Sequence, residues 1–314
     1  MANQRPASET ERVEKVAVRG SGRGTRLHDA LISFSFLAPA VALVGLLMIV
    51  PLVRAGQLSL HDWDGVSNAM PYVGLENYFS LLADPRFHAA LMRTAVWFII
   101  HLILAVGGGF VLALMISEVR WGRTVFRTAA FLPYVISLSV VGVIWGQIYN
   151  PLSGLLNAIL DSVGLHALTH AWLGDPSTAL PAVALASSWQ AYAFYMVIFL
   201  AGLQSLDPAV QEAAMVDGAG WLQRVRFVTI PGLHNTITVV VVLAFIRAFH
   251  GFGVVWSTTG GGPGTATELL TVYIWRNAFQ SGNVSRAATA GIVLAAIVLA
   301  VAGPFNRLRD RSTM

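Results

Sequence analysis

The 314-residue sequence has no cysteine, so disulfides and thiolate metal sites are excluded. Its single lysine, Lys15, lies in "VEKVA". A phosphate-cradling P-loop needs a lysine just after its glycines to reach the β- and γ-phosphates, so the chain has no nucleotide site of that kind. The glycine cluster at Gly260–Gly264 carries no lysine either. No G-x-S-x-G elbow is present to present a nucleophile. His166 and His170 stand four apart in "HALTH", but no acidic third ligand follows at a motif spacing. No catalytic residue, bound cofactor or metal site is therefore expected of this chain. Charge is scarce as well. Charged residues make up 11% of the sequence, against about 25% in soluble domains, too few to clothe a water-facing surface.

What fills the sequence instead is apolar. Hydrophobic residues reach 55% and the mean hydropathy is +0.65, which reads as an integral membrane protein. Each crossing of the hydrocarbon core takes about 20 residues, and charge-free windows mark six of them. The predicted spans are 31–53, 95–117, 129–149, 179–203, 236–256 and 286–305, the fifth tolerating one charge, Arg247. The fold class is thus all-α with six transmembrane helices. Residues 1–28 read as a disordered basic tail, 29–306 as the membrane domain and 307–314 as a short second tail. The first apolar run is longer than a cleaved signal core, and five more follow, so it reads as a retained helix.

Arginine and lysine choose the orientation. Fourteen lie in the N-terminal tail, the even-numbered connections and the C-terminal tail, and five on the opposite side. Both termini are expected in the cytoplasm, and the pI near 9.8 becomes a matter of topology rather than of nucleic-acid binding.

The connection at 204–235 then faces the cytoplasm. Asp207 followed by Pro208 is a helix start, a capping oxygen and then a ring preset for the first turn. "AVQEAAMV" favours helix, Gly218 and Gly220 permit a tight turn, and "WLQRVRFV" forms a second short helix that Pro231 ends or kinks. One reading is an amphipathic connector on lipid headgroups. Against it, Ala213, Ala214, Gly218 and Gly220 give lipid little apolar area, and Glu212 and Asp217 repel anionic headgroups. Small residues flanked by acids suit docking into another protein.

"EAAMVDGAG…VTIPGL" resembles the EAA loop of binding-protein-dependent ABC importer permeases, with Glu212, Ala213, Ala214, Gly218 and Pro231 in register. Val228 and Ile230 replace the family's Ile and Leu, and Asn235 stands where sugar permeases often have a second proline. "YVGLENYFSLLADPRFHAALMRT", "NPLSGLLNAILDSVGL", "IFLAGLQSLDPAVQEAAMVDGA" and "TTGGGPGTAT" extend the likeness to the carbohydrate-type permeases of the maltose and glycerol-phosphate systems. The resemblance implies a type I importer fold in a bacterial or archaeal cytoplasmic membrane. It implies a coupling role for Glu212, Ala213, Ala214, Asp217, Gly218 and Pro231. It also implies four kinds of partner: a second homologous permease, two ATP-binding cassette subunits that carry ATP and Mg, an extracytoplasmic solute-binding protein, and membrane lipid. Neutral saccharides lead as substrate, with glycerol 3-phosphate or a glycerophosphodiester second. An ion-coupled carrier is the rival class, but Asp29, Glu118, Asp161, Asp175, Asp207 and Glu268 all fall at or beyond span ends, leaving no carboxylate for a relay.

Polar and aromatic residues inside spans mark the substrate path, because lipid-facing positions have no use for them. Trp189, Gln190, Tyr192 and Tyr195 lie mid-span, the three aromatics at i, i+3, i+6. Arg247 and His250 complete the set. A mid-span arginine costs about 2.5–3.5 kcal/mol on insertion scales, so Arg247 needs either an anionic or hydroxylated ligand or a structural partner. The candidates for the latter are an acid on the partner permease and the carbonyls of a helix break near Gly251 and Gly253. The family commonly has Asp where Gly253 stands.

Overall fold

The computed structural model describes residues 35–119 and 121–312. The basic tail at 1–28 lies outside them. Among the described residues the secondary structure is helical, and the chain divides into two units at residue 57. The first unit consists, where described, of helix α1, Ser35–Leu58, whose residues up to Gln57 belong to it. Its large apolar side chains, Phe36, Leu46 and Leu47 among them, are exposed.

The second unit is built on the long helices α3, Pro85–Glu118, and α7, Pro176–Gln204, and on α13, which runs from Val284 to Ser312. Before them lies α2 (Glu76–Leu82), and between them α4 (Arg123–Val135), α5 (Leu138–Ile148), α6 (Leu155–Ser162), α8 (Pro208–Val216), α9 (Trp221–Gly232), α10 (His234–Ala248), α11 (Phe252–Thr258) and α12 (Leu270–Phe279). Among the described residues, four helices are long and apolar enough to cross a membrane, or six if each of two bent pairs counts as one span. The last helix continues to Ser312, beyond the expected end of the sixth span at 305.

Three helices begin with the same device. Asp84, Asp175 and Asp207 each accept a hydrogen bond from the backbone N–H two residues on, and proline follows at the first helical position. The carboxylate satisfies a donor that the first turn leaves orphaned, and the proline has no N–H to orphan.

Helix α7 is the centre of the unit. Two-thirds of its apolar window is buried, and it packs against α3, α4, α5, α10 and α11. Its small residues let backbones approach. A Cβ at Gly109 of α3 would lie 2.7 Å from the Tyr192 carbonyl oxygen and 2.9 Å from the Met196 nitrogen, so only glycine fits that crossing. Around it Ala105, Ala113, Tyr195, Met196, Phe199 and Val240 form one buried cluster, and Trp97, Val141, Val183, Val254 and Leu269 another.

Two expected spans are not continuous. The third, 129–149, is α4 and α5 meeting at 93°. Pro133 sits in the last turn of α4 and Ser137 caps α5, accepting from the Val140 N–H. Proline loosens the turn before the break and the capping hydroxyl starts a new helix after it. The fifth, 236–256, is interrupted at 249–251, between α10 and α11.

Candidate functional site

The corner between α4 and α5 leaves backbone carbonyls without helical partners. Gln190 of α7 supplies them: its Nε2 donates to the Tyr134 carbonyl at 3.2 Å and to that of Ile136 at 3.1 Å. This corner, the break after α10, and the facing sides of α3 and α7 enclose a cavity of about 450 Å³. His101, Tyr134, Ser137, Ser187, Gln190, Arg247 and His250 supply its polar lining. Broken helices around a cavity are the arrangement in which a membrane protein can offer unpaired backbone to a solute.

Arg247 reaches across this space. Its Nη2 donates to the Tyr134 hydroxyl at 2.7 Å, and its guanidinium lies 4.4 Å from the Phe194 ring centroid and 5.4 Å from that of Tyr134. Aromatic faces attract a cation through their quadrupoles, and these contacts hold the arginine within the bundle. His250 donates from Nδ1 to the Ile246 carbonyl at 3.2 Å.

Of the six residues expected along the substrate path, Gln190, Arg247 and His250 line this cavity together. The other three do not join them. Trp189 packs edge-on against Trp145, with ring centroids 5.9 Å apart. Tyr192 is half-buried beside Gly108 of α3. Tyr195 is fully buried, and its hydroxyl lies 3.1 Å from His101 Nε2. Steps of three residues turn a helix through about 300° each, so three such residues fan across a wide arc and reach different neighbours. His101 and Tyr134 are cavity residues that sequence reasoning missed. His101 sits in the middle of the apolar window 95–117, where its polarity was the available signal.

At the Glu118 end of α3 stands the elbow of α8 and α9. Gly218 has φ +80°, a conformation that glycine adopts without strain. The Gly220 N–H donates to Gln223 Oε1 at 2.8 Å, capping the start of α9, and Gln211 Nε2 donates to Thr229 Oγ1 at 3.1 Å, tying the two arms. A second cavity, about 350 Å³, lies beneath, lined by Ser117, Glu118, Leu203, Glu212, Met215 and Arg224 among others. Glu212, Ala213, Asp217 and Gly218 are exposed, and Ala214 is half-buried. Pro231 is exposed within α9, and the chain bends by 74° at Leu233 into α10.

At the other end of α3, the loop from Thr259 to Leu269 is clamped by charge. Glu268 is fully buried, although it was expected simply beyond a span end. Arg86 donates to it twice, at 2.8 and 2.7 Å, and Arg276 once, at 3.1 Å. Arg276 also donates to the Gly260 carbonyl at 2.6 Å, and Arg93 to Thr265 Oγ1 at 3.1 Å. Nearby, burial works to raise the Asp84 carboxyl, but the Tyr273 hydroxyl, the Arg86 N–H and the Arg286 charge outweigh it and hold the group below its ordinary value. His166 bonds Asp161, and His170 bonds the Leu168 carbonyl. Among the described residues no three metal-ligating side chains gather.

Residues 105–309 match the family described as "Binding-protein-dependent transport system inner membrane component". The chain is 36% identical to the probable ABC transporter permease protein YurN of Bacillus subtilis, over 87% of this chain and 94% of that one. It is 30% identical to the diacetylchitobiose uptake system permease protein NgcF of Streptomyces coelicolor, over 95% and 88% of the two. Among solved structures, a chain of a bacterial alginate ABC transporter, in complex with an alginate pentasaccharide-bound periplasmic protein, superposes with a TM-score of 0.79 at 24% identity, covering 92% of this chain and 97% of that one.

Proposed function

Because the chain belongs to the family of binding-protein-dependent transport system inner membrane components, and so is a multi-pass ABC transporter permease subunit, we propose that it forms half of the path by which an importer brings a saccharide into a bacterial or archaeal cell. The diacetylchitobiose uptake named for one relative and the alginate named for a structural neighbour's transporter support the sugar class. The second half would be a homologous permease. An extracytoplasmic binding protein would deliver the solute, and two ATP-binding cassette subunits would hold ATP and Mg²⁺.

The observation that carries this reading is the elbow. Its two arms are joined by the Gln211–Thr229 side-chain hydrogen bond and the second arm is capped by Gln223, yet Glu212, Ala213, Asp217 and Gly218 present themselves outward. A braced helical corner that presents acids and small residues beside exposed Val216, Leu222 and Phe227 is suited to dock on, and take a push from, a partner that hydrolyses ATP. A purely lipid-lying connector would not set Glu212 and Asp217 outward among its apolar groups.

The test is recovery of the tagged full chain from mild detergent with every co-purifying subunit identified. An ATPase, a second permease and a solute-binding protein are expected. A chain that emerges alone and moves solute into liposomes without ATP would be a self-sufficient carrier and would overturn the proposal.

A further inference from the structure

We infer that the cavity around Arg247 is a binding site for the acidic group of an anionic saccharide, a carboxylate or phosphate carried on the sugar. The inference rests on the importer reading and adds a substrate class to it.

Three separate features place positive potential in one small space. The first is Arg247. Among the described residues it forms no ion pair, and the cavity lining contains no carboxylate. Its partners are a neutral phenol and two aromatic faces, which orient a guanidinium but cannot neutralise it. A cation in a low-dielectric interior is most stable beside an anion, and the lining leaves that place to a ligand.

The second feature is the start of α5. Ser137 and Leu138, its cap and first residue, both line the cavity. The N-terminus of an eleven-residue helix therefore borders it with the positive end of the helix dipole, one first-turn N–H, that of Val140, being held by the Ser137 hydroxyl. The third is His101, 4% exposed, whose Nδ1 is buried without a partner. The Tyr195 hydroxyl lies 3.1 Å from His101 Nε2, and either atom can be the donor. With the hydroxyl donating, the imidazole hydrogen of the neutral ring lies on Nδ1, the tautomer an anion would select.

The remaining lining suits the body of a sugar. Gln190 uses its nitrogen on the corner carbonyls and keeps Oε1 as an acceptor for hydroxyls. Ser137 and Ser187 add hydroxyls of their own. The volume of 450 Å³ falls within the span of small-molecule sites, about 300–1,000 Å³.

The test is direct binding to the purified full chain together with the subunits that co-purify. Glucuronic acid, glucose 1-phosphate and glucose serve as probes, and binding is read from tryptophan fluorescence and the thermal unfolding midpoint. The two acids should bind at least about tenfold more tightly than glucose, the scale of one ionic hydrogen bond. Arg247→Gln should erase the difference, while Arg247→Lys keeps most of it. Tyr134→Phe removes the neutral competitor for the guanidinium, so it should preserve or increase the preference, and it serves if Arg247→Gln does not fold. Equal affinity for all three probes, no binding by the wild type, or an equal loss for all three in Arg247→Gln would overturn the inference. ATP hydrolysis by the same preparation, stimulated by its binding protein, is measured in parallel. If it persists while the probes show no preference, the importer reading stands and the anionic site falls; if it is absent, the importer reading itself fails.

Discussion

Replacing Glu268 with glutamine keeps the volume of the side chain and removes its charge. The carboxylate is fully buried and accepts three hydrogen bonds from two arginines, at 2.7, 2.8 and 3.1 Å. Glutamine offers one acceptor oxygen and turns an N–H₂ group towards guanidinium donors. Removing one partner of a buried ion pair costs about 3–5 kcal/mol, because the surviving charge is left uncompensated. Here the two survivors differ. The Arg86 side chain is 43% exposed and can rehydrate, whereas that of Arg276 is 19% exposed and cannot do so fully. The loss therefore falls at or just below the bottom of that range, about 2–4 kcal/mol. Arg276 also holds the Gly260 carbonyl, so the loop from Thr259 to Leu269 should loosen along with the global loss. The assays are thermal unfolding of the purified chain in detergent and limited proteolysis of that loop. The glutamine variant should unfold several degrees lower and be cut faster between residues 259 and 269. An unchanged midpoint with unchanged proteolysis would mean that the cluster contributes nothing, and the electrostatic clamp would be refuted.

Gly109→Leu forces apart backbones already at contact distance; a loss of about 1–3 kcal/mol should appear as lower folded yield and midpoint, and a neutral outcome would show that α3 and α7 do not pack as described. Gly218→Val places a β-branched residue at φ +80°, a strain of about 1–2 kcal/mol, on an exposed surface; the protein should insert normally while ATP-driven uptake falls, and full uptake would remove the elbow's coupling role. Asp84 has a carboxyl held below its ordinary value in the folded protein. The stability it adds is present above the unfolded value of about 3.9 and is lost as pH falls through the lower folded one. Acid unfolding of Asp84→Asn should therefore be flatter than that of the wild type in that window, and superimposable curves would deny Asp84 a share.

The spans were legible because a membrane helix must be apolar along its length, and that requirement is written residue by residue. The Asp207–Pro208 start was equally plain, since a cap is satisfied within two residues, and the same pair at 84 and 175 carries the same local signal. The elbow was readable from Gly218 and Gly220 for the same local reason. What escaped were properties of pairs far apart in the chain. The apolar window 129–149 shows Pro133, yet the 93° corner also depends on Gln190, 54 and 56 positions from the carbonyls it satisfies. Glu268 looked like a solvated residue at a span end because Arg86 stands 182 positions earlier. Tyr195 looked like a pathway phenol because nothing near it announces His101 in another helix. Arg247 stood out alone, and its neutral partner Tyr134, 113 positions away, did not.

The tie between Gln190 and the corner also bears on the order of events as the chain is made. The corner occupies residues 135–137 and the donor that saturates it comes more than fifty residues later. A growing chain emerges from its N-terminus, so residues 123–148 leave the ribosome ahead of their donor. Until α7 packs beside them, α4 and α5 have no Gln190 to secure the bend. The right angle therefore depends on a later segment, and the cavity it walls is completed by the second half of the protein reaching back to the first.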